Sequence, residues 1–535
     1  MNDVVEFDYV IVGGGSAGCV LADRLSASGR HAVCLLEAGN VDRDLRIKIP
    51  FGLIGLMKNP RFDWRFRSAP HAHLGGHEVP IPRGRGLGGS GSINSMVYIR
   101  GRPSDYDRWA ELGAVGWAWE DVLPVFVDQE RNARLGSDPR HGDAGPLHVQ
   151  DLPTVHPLLK VWQAAGASVG IPGSVDFNGE QQEGLGAYQT TMRNGRRWSA
   201  ADAFLRPALR RPNLTVITNS EASRIEFDNG RATAVELAEG ARFRRIAVGH
   251  ELVLAAGAIG SPALLLKSGI GPGEHLQSLG LSVKHNLPGV GQNLHDHPAT
   301  AVFHGGGPAG YGLSLTSLPT LALAPFRYLF ARSGLLASNQ VEGGGFARTQ
   351  PALCEPDVQF HFIPARLGHE DRMIVWGRGY YCDVCLLKPH SRGSLRLAGP
   401  DGKLDIDLNL LADERDNETL LNGLELLRRI LAAGAFDPSR SEELAPGPGI
   451  SSREQLEHYM HQRLGTAYHP VGTCRMGAAG HPETVVTPDL KLVGASNIRV
   501  IDASVMPEVV AGNTNAPTMM IAQRGASLAL RQTGG

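Results

Sequence analysis

The sequence predicts an α/β protein, α+β overall, in which a Rossmann-like parallel-sheet domain is combined with a discontinuous second domain built on an antiparallel sheet and helices. Three observations carry this prediction. A strand-like run at residues 9–12 leads through a glycine-rich turn into a helical pattern, a second buried run lies at 252–256, and strand-like runs at 358–363 and 393–397 precede a helical pattern over 417–432. Because 535 residues exceed one ordinary domain, we expect two closely packed domains.

Composition limits the classes of partner. A net charge of −2 at pH 7 gives no basic surface for nucleic acid, so the Arg-Arg-Trp run at 196–198 is predicted to edge a substrate mouth or the surface. The six cysteines are scattered, and the Cys-x-x-Cys at 382–385 lies in a strand pattern that points its sulfurs to opposite faces. The amino terminus shows no basic stretch followed by an apolar run. We expect a cytoplasmic protein that acts on a small neutral molecule.

The first element is a turn at residues 13–18, Gly-Gly-Gly-Ser-Ala-Gly, between the first strand and the first helix. Gly13 permits the tight turn, Gly15 lets a pyrophosphate approach the backbone, and the last glycine lets helix and strand pack closely. A second strand over 32–36 ends at Glu37, whose carboxylate suits the hydroxyls of an adenosine ribose. This pattern predicts a bound dinucleotide and leaves NAD and FAD both open.

Two long segments then carry a family resemblance. The first segment, residues 84–94 with their continuation to Asp107, has five glycines within 84–94, and the second, residues 257–271, follows the buried run 252–256. Both segments resemble signatures of the glucose-methanol-choline (GMC) oxidoreductase family, in that family's order, and the resemblance spans nearly the whole chain. It implies FAD as the cofactor. Further matching segments lie at 141–147, 289–297, 468–477, 498–504 and 512–519.

The resemblance implies a catalytic pair on the substrate side, a histidine followed by a histidine or asparagine, and these positions fall on His469 and Asn513. In the family, a hydride passes from an alcohol carbon to the flavin N5. Such a hydride leaves only if the hydroxyl proton is also lost, since a protonated carbonyl would otherwise form. His469 suits the role of general base, and the Asn513 amide can donate a hydrogen bond to the developing alkoxide.

The resemblance also implies FAD contacts at the diphosphate, the adenosine and the flavin ring. Some family members carry a histidine covalently bound to the flavin, and because Ile93 stands at the matching position we expect non-covalent FAD. The implied contacts are Gly13, Gly15, Ser16 and Ala17 at the diphosphate, Glu37 and Ala38 at the ribose, Ala222 near adenine, and Gly89, Asn94, Met96, Val97, Asp502, Ala503, Asn515, Pro517 and Thr518 near the flavin.

Within the family, the chain is similar to bacterial choline dehydrogenase-like alcohol dehydrogenases that act on polyethylene glycol, aliphatic or aryl alcohols. We predict oxidation of a primary alcohol to an aldehyde, with electrons passed to a non-oxygen acceptor such as a quinone. An alcohol oxidase using dioxygen, a choline dehydrogenase, a hydroxynitrile lyase on the same fold and an FAD-binding module without redox chemistry stay open. The oligomeric state also stays open.

The segments of the resemblance alternate along the chain, which predicts discontinuous domains. The FAD-binding domain is expected over 1–155, 199–310 and 460–535, and the substrate-binding domain over 156–198 and 311–459.

Two His-x-His pairs raise the question of a metal, and we predict none. His71 and His73 are interpreted as solvent-facing loop residues, and His295 and His297 as hydrogen-bonded structure. The uncharged stretch 305–326, which runs on to Phe330, is too rich in proline and glycine for a membrane span. We predict a buried loop or a lid over a substrate channel there, with peripheral contact to a membrane surface as the alternative.

Overall fold

A mostly parallel sheet, here called the nucleotide sheet, forms around the first strand of the chain. The computed structural model describes residues 5–238, 245–366 and 375–532. Val10 and Ile11 of the first strand are fully buried because both faces of the sheet are covered, which explains the continuous apolar run. In spatial order the strands are Leu214–Ile217, Val33–Leu36, Val5–Val12, Arg245–Leu254, Arg231–Leu237 and Ala222–Asp228, with Ile498–Val500 also beside Arg245–Leu254.

The predicted strand, turn and helix are confirmed, and the glycines have the expected geometry. The helix Ser16–Ser26 follows the turn, in which Gly13 has a φ of 106°. A Cβ on Gly18 would lie 1.8 Å from the carbonyl oxygen of Gly13, so only glycine lets this helix pack on its strand. The carboxy-terminal helix Asn515–Gln532 packs alongside Ser16–Ser26.

A second, antiparallel sheet, the substrate-side sheet, has helices on one face. Leu158–Ser168 and Glu414–Ala432 cover that face, where Trp162 stacks on Phe362 with ring centroids 5.1 Å apart. Because strand side chains alternate between faces, Gln359 turns to the opposite face. In spatial order the strands are Glu442–Ala445, Pro298–Gly305, Gly377–Leu386, Val358–Ile363, Gly343–Ala347 and Gly184–Ala187, with Gly312–Leu313 and Gly465–Thr466 at its margins.

Two strands that local patterns predict lie in different sheets. The predicted strand at 393–397 exists as Ser394–Leu397, but it pairs with Leu404–Asp407 in a separate two-stranded sheet, because a local pattern does not specify a partner strand. Cys382 and Cys385 both lie within the strand Gly377–Leu386, as the pattern predicts, and both side chains are buried.

The stretch at 305–330 is not a buried loop, so that prediction is wrong, whereas a lid over a substrate channel stays a prediction. Its second half forms the helix Leu318–Ala331, which leaves Phe326 and Phe330 60% and 82% exposed. No helix within the described ranges is long and apolar enough to span a bilayer. The other α-helices are Leu45–Lys48, Pro103–Glu111, Trp119–Gln129, Arg206–Ala208, Gly257–Lys267, Gly273–Ser278 and Arg453–Gln462. The remaining paired strands are Phe66–Arg67 with Pro80–Ile81, Glu130–Asn132 with Leu147–Val149, Met192–Arg193 with Arg196–Arg197, and Ile270–Gly271 with His285–Asn286.

Candidate active site

Three predicted cofactor segments converge on one backbone cradle. A Cβ on Gly89 would lie 2.7 Å from the Cα of Gly15, so the two glycine segments touch directly. The Ser16 hydroxyl donates to the Asn515 Oδ1 at 2.7 Å, which joins the starts of two helices. Helix starts carry free N–H groups and a partial positive charge. The cradle, with Ala17 in the first helical turn, is therefore suited to an anion such as a diphosphate.

Glu37 occupies the end of the second strand and holds the cradle together. Its carboxylate accepts hydrogen bonds from the backbone N–H groups of Gly14, Gly39 and Gly86, at 2.8, 2.7 and 2.9 Å. Burial raises the pKa of this carboxyl, and the three amides oppose that shift. The sequence motif did not indicate this bracing role. The Ser220 amide donates to the Glu37 carbonyl at 2.9 Å, which joins the segments that carry the half-buried Ala38 and Ala222.

The first signature forms a compact hydrogen-bond network around Asn94. The Asn94 Oδ1 accepts from the Met96 amide at 3.0 Å and from the Arg197 Nη1 at 2.8 Å, and Met96 has a left-handed φ of 59°. Val97 bridges to Thr190. Arg197 is 1% exposed, which corrects the prediction of a surface or mouth edge. Burial lowers its pKa to about 9, and its Nη2 has no hydrogen-bond partner among the described residues.

Near the carboxy terminus, Asp502 joins two signatures through its side chain. One carboxylate oxygen accepts from the amide and hydroxyl of Ser504, and the other accepts from the Gly257 amide at 2.8 Å and the Ser261 hydroxyl at 2.6 Å. The carboxylate is therefore fully used within the protein, and only backbone groups of Asp502 are left for a cofactor. Half-buried Ala503 follows it, and Pro517 and Thr518 are buried in the first turn of the last helix.

The structure brings His469 and Asn513 together, with the Asn513 Nδ2 3.2 Å from the His469 Nε2. Backbone geometry fixes both. Asp296 accepts from the His469 amide at 2.7 Å, and Tyr468 before it has a left-handed φ of 64°, a conformation that costs about 1–3 kcal/mol and persists only where surroundings impose it. A Cβ on Gly512 would lie 2.5 Å from the Cγ2 of Ile99, so only glycine fits directly before Asn513.

A chain of hydrogen bonds assigns the tautomer of His469. The Nε2 of His297 lies 3.1 Å from the carbonyl oxygen of Val510, and because a carbonyl only accepts, this nitrogen carries the proton. The Nδ1 of neutral His297 is then an acceptor, and it lies 3.2 Å from the Nδ1 of His469. His469 therefore carries its proton on Nδ1. Its Nε2 is left as the basic lone pair, beside the Asn513 amide.

The electrostatics favour the neutral form of both histidines. Burial, with the neighbouring His297, lowers the pKa of His469 well below its usual value. Burial also lowers the pKa of His297 to about 3. At neutral pH His469 is consequently a free base rather than a cation.

A strand of the substrate-side sheet completes the site through Gln359, which sequence reasoning missed. Its Nε2 donates to the Asn513 Oδ1 at 3.1 Å and to the Tyr188 hydroxyl oxygen at 3.2 Å. Because the Asn513 Oδ1 accepts from Gln359, the Asn513 NH₂ group points toward His469. A signal was present in the sequence, since Gln359 and His361 interrupt an apolar strand at alternate positions that share one face.

The histidine pairs behave differently from one another. His71 is buried at 2% exposure, which corrects the prediction that it faces solvent. His295 accepts from the Val509 amide at 2.9 Å and contacts the Asn293 carbonyl, so it is a hydrogen-bonded structural residue. Asp296, His297 and His469 form the one group of at least three potential metal ligands within the described ranges, with ligand atoms within 4.8 Å of one another. Sequence spacing did not indicate this group.

The residues present fit a flavin dinucleotide. A Cβ on Gly89 would collide with the Gly15 backbone, so the cradle keeps a bare glycine backbone, and the Arg197 Nη2 beside Asn94 is a buried donor without a hydrogen-bond partner among the described residues. A dinucleotide cradle next to a neutral histidine base is the arrangement of a cofactor-dependent oxidoreductase. Family models described as GMC oxidoreductase match residues 7–299 and 389–522. The chain belongs to the GMC oxidoreductase family, and it is an FAD-dependent oxidoreductase acting on CH–OH donors.

Individual relatives cover nearly the entire chain. An alcohol dehydrogenase [acceptor] of Pseudomonas putida is 41% identical over 531 residues, which are 98% of this chain and 96% of that protein. An oxygen-dependent choline dehydrogenase of Sinorhizobium fredii is 40% identical over 527 residues, 98% of this chain and 95% of that protein. Among solved structures, pyridoxine 4-oxidase from Mesorbium loti matches with a TM-score of 0.87 at 32% identity, covering 97% of this chain and 98% of that one.

Proposed function

We propose that this protein oxidises a primary alcohol to an aldehyde with His469 as general base, holds FAD without a covalent bond, and passes electrons to a non-oxygen acceptor such as a quinone. The observation that carries the proposal is the hydrogen-bond chain from Val510 through His297, which leaves the His469 Nε2 as a free base. The alcohol dehydrogenase [acceptor] and choline dehydrogenase relatives support an alcohol substrate.

The protein's part in the reaction is proton transfer and alkoxide stabilisation. FAD supplies the hydride acceptor when it is bound. The His469 Nε2 accepts the hydroxyl proton, and its Nδ1–H keeps donating to His297 as the imidazole becomes charged. One N–H of Asn513 donates to the developing alkoxide, while Gln359 holds the amide in that orientation.

The cofactor would be held at both ends by different means. The free amides at Ser16 and Ala17 would face the diphosphate, and Glu37 the adenosine ribose. Toward the flavin we propose Gly89, Asn94, Met96, Val97, Ala503 and the start of the helix at Asn515, with Pro517 and Thr518. We also propose the division into FAD-binding and substrate-binding domains given above, although Pro298–Gly305 and Gly465–Thr466, from its FAD-binding part, pair within the substrate-side sheet.

Non-covalent binding has a simple test. Ile93 lies in an apolar cluster with Ile47, Leu56 and Phe62 and has no group that can bond to a flavin. Acid precipitation of the yellow protein should release the flavin into the supernatant. Flavin that stays with the pellet contradicts this part of the proposal.

The activity is tested with a panel of primary alcohols and an artificial dye acceptor under nitrogen, repeated with dioxygen alone. We expect flavin bleaching on anaerobic mixing and turnover with the dye, and much slower turnover with dioxygen. An oxidase is the second candidate because the structural relative pyridoxine 4-oxidase is one, and fast turnover with dioxygen would favour it. Cyanohydrin cleavage without bleaching would instead indicate a lyase.

A further inference from the structure

The exposed apolar side chains of the molecule are concentrated in one place. Eight of the sixteen large hydrophobic side chains that are exposed in the described ranges lie in residues 313–330 or at Trp376, which bridges to Leu313. We call these eight side chains the apolar patch. Its members are Leu313, Leu315, Leu318, Leu323, Phe326, Leu329, Phe330 and Trp376.

The helix Leu318–Ala331 is apolar on both its inner and its outer face. Ala324 and Tyr328, four positions apart, are buried and attach the helix to the protein. On the other side Leu323, Phe326 and Phe330 are 58%, 60% and 82% exposed, at the i, i+3 and i+7 spacing of one face. A helix that is apolar all round is normally buried, so this outer face needs a cover that the described residues of the chain do not supply.

Charge along the patch helix and its flanking segments is of one sign. No aspartate or glutamate stands between Asp296 and Glu342, and the charged residues in that interval are Arg327 and Arg332. Glu342 itself is fully buried. Arg332 packs over the Tyr328 ring at 4.9 Å, and exposed Arg327 lies on the patch helix. Exposed leucine and aromatic side chains beside arginines suit the interface of an anionic bilayer, which takes up apolar side chains and attracts cations.

The same charges argue against a second copy of the chain as the cover. In a two-fold symmetric contact the same surface of each copy meets, so the arginines of one copy would face the arginines of the other. The interval 297–341 has no acid to pair with them. Anionic phospholipid headgroups neutralise them instead.

The patch is also connected to the redox site. Three residues beyond the helix, the Gly334 amide donates to Thr154 at 2.9 Å, and a few residues later the Asn339 amide donates to the carbonyl of Ser95 in the first signature at 2.8 Å. The segment that carries the apolar patch therefore continues directly to a contact with the first signature, which is proposed to bind the flavin.

We propose that the apolar patch docks this protein on the surface of an anionic phospholipid bilayer, with Phe326 and Phe330 inserted and Arg327 and Arg332 at the headgroups. The proposal goes beyond the alcohol oxidation proposed above and does not depend on it. A bilayer-dissolved electron acceptor would be met at this surface.

The test is co-sedimentation of the holoenzyme with vesicles of equal parts phosphatidylcholine and phosphatidylglycerol. We expect the wild type to bind and the double variant Phe326→Glu/Phe330→Glu to lose at least about tenfold in vesicle affinity. Arg327→Gln should lose about fivefold in affinity for these anionic vesicles. The matched controls, Val115→Glu/Val175→Glu and Arg30→Gln, alter equally exposed side chains outside the patch and should bind as the wild type does.

Dye-linked turnover and light scattering accompany the binding assay. All variants should keep wild-type turnover with a soluble dye, since none touches the active site. Wild type that does not bind vesicles, or a double variant that binds as the wild type does, overturns the proposal. The proposal is also overturned if the protein binds no lipid and instead forms a dimer that the double variant dissociates. If vesicle binding follows the patch but no alcohol is oxidised, the proposed function fails and this inference stands.

Discussion

The cofactor end and the substrate end of this molecule are built in different ways. At the end proposed for the cofactor, the turn at 13–18 and Glu37 come from one continuous stretch, and the Glu37 carboxylate accepts from three backbone amides. At the substrate end, His297, Gln359, His469 and Asn513 come from four separate segments joined by side-chain hydrogen bonds. The cofactor end should therefore control FAD retention, and the substrate end should control chemistry with FAD bound.

The largest effect is expected at His469. His469→Ala should keep its FAD but slow anaerobic flavin reduction roughly 10²–10⁴-fold, because the positioned base is lost. Stopped-flow absorbance of the flavin band measures this rate. His461→Ala is a matched control, since that histidine contacts Asn417 outside the site, and it should reduce as the wild type does. If His469→Ala also reduces at the wild-type rate, another group is the base.

Asn513→Ala should be less damaging, because it removes a donor to the alkoxide and keeps the base. We expect reduction to slow by up to about 10²–10³-fold, the worth of such a donor in a dry site. Gln359→Leu, which only frees the orientation of that amide, should cost less than Asn513→Ala. The reverse ranking in the same stopped-flow assay would show that Gln359 acts on the substrate directly.

The opposite end gives the next effect. Glu37→Gln should weaken FAD binding by roughly 10–100-fold, since a buried carboxylate that accepts three amide bonds is lost. Titration of the apoprotein with FAD, followed by flavin fluorescence, measures the dissociation constant. Glu120→Gln, an exposed carboxylate on the helix Trp119–Gln129, is the matched control. Unchanged FAD affinity together with an altered preference among alcohols would contradict the assignment of Glu37 to the cofactor end.

The smallest effect is a pH dependence of the wild type. Since burial lowers the pKa of His469, the base stays neutral until the pH falls below the ordinary histidine value near 6.5. The rate of flavin reduction should be flat at and above that pH and should decline only on the acid side. His469→Ala should lack this acid limb. A wild-type rate that still rises steeply between pH 7 and 9 would contradict the assignment.

The contrast between the two ends also explains what the sequence could predict. The nucleotide turn and the helix Ser16–Ser26 depend on local glycine and apolar patterns, and both were predicted. Ser394–Leu397 was predicted as a strand, but its separate pairing depends on a distant partner. The patch helix was mistaken for a buried segment because an apolar pattern looks the same whatever covers it. Gln359 and His297 were missed as site residues because their roles depend on contacts more than 100 residues away in the chain.

The most direct test of the separation between the two ends is to measure FAD content and reduction rate on the same preparations of Glu37→Gln and His469→Ala. The account predicts a crossed result, in which Glu37→Gln loses FAD but reduces at the wild-type rate per bound flavin, whereas His469→Ala keeps its FAD and loses the rate. Loss of both properties in both variants would show that the two ends form one interdependent unit, and it would contradict the account.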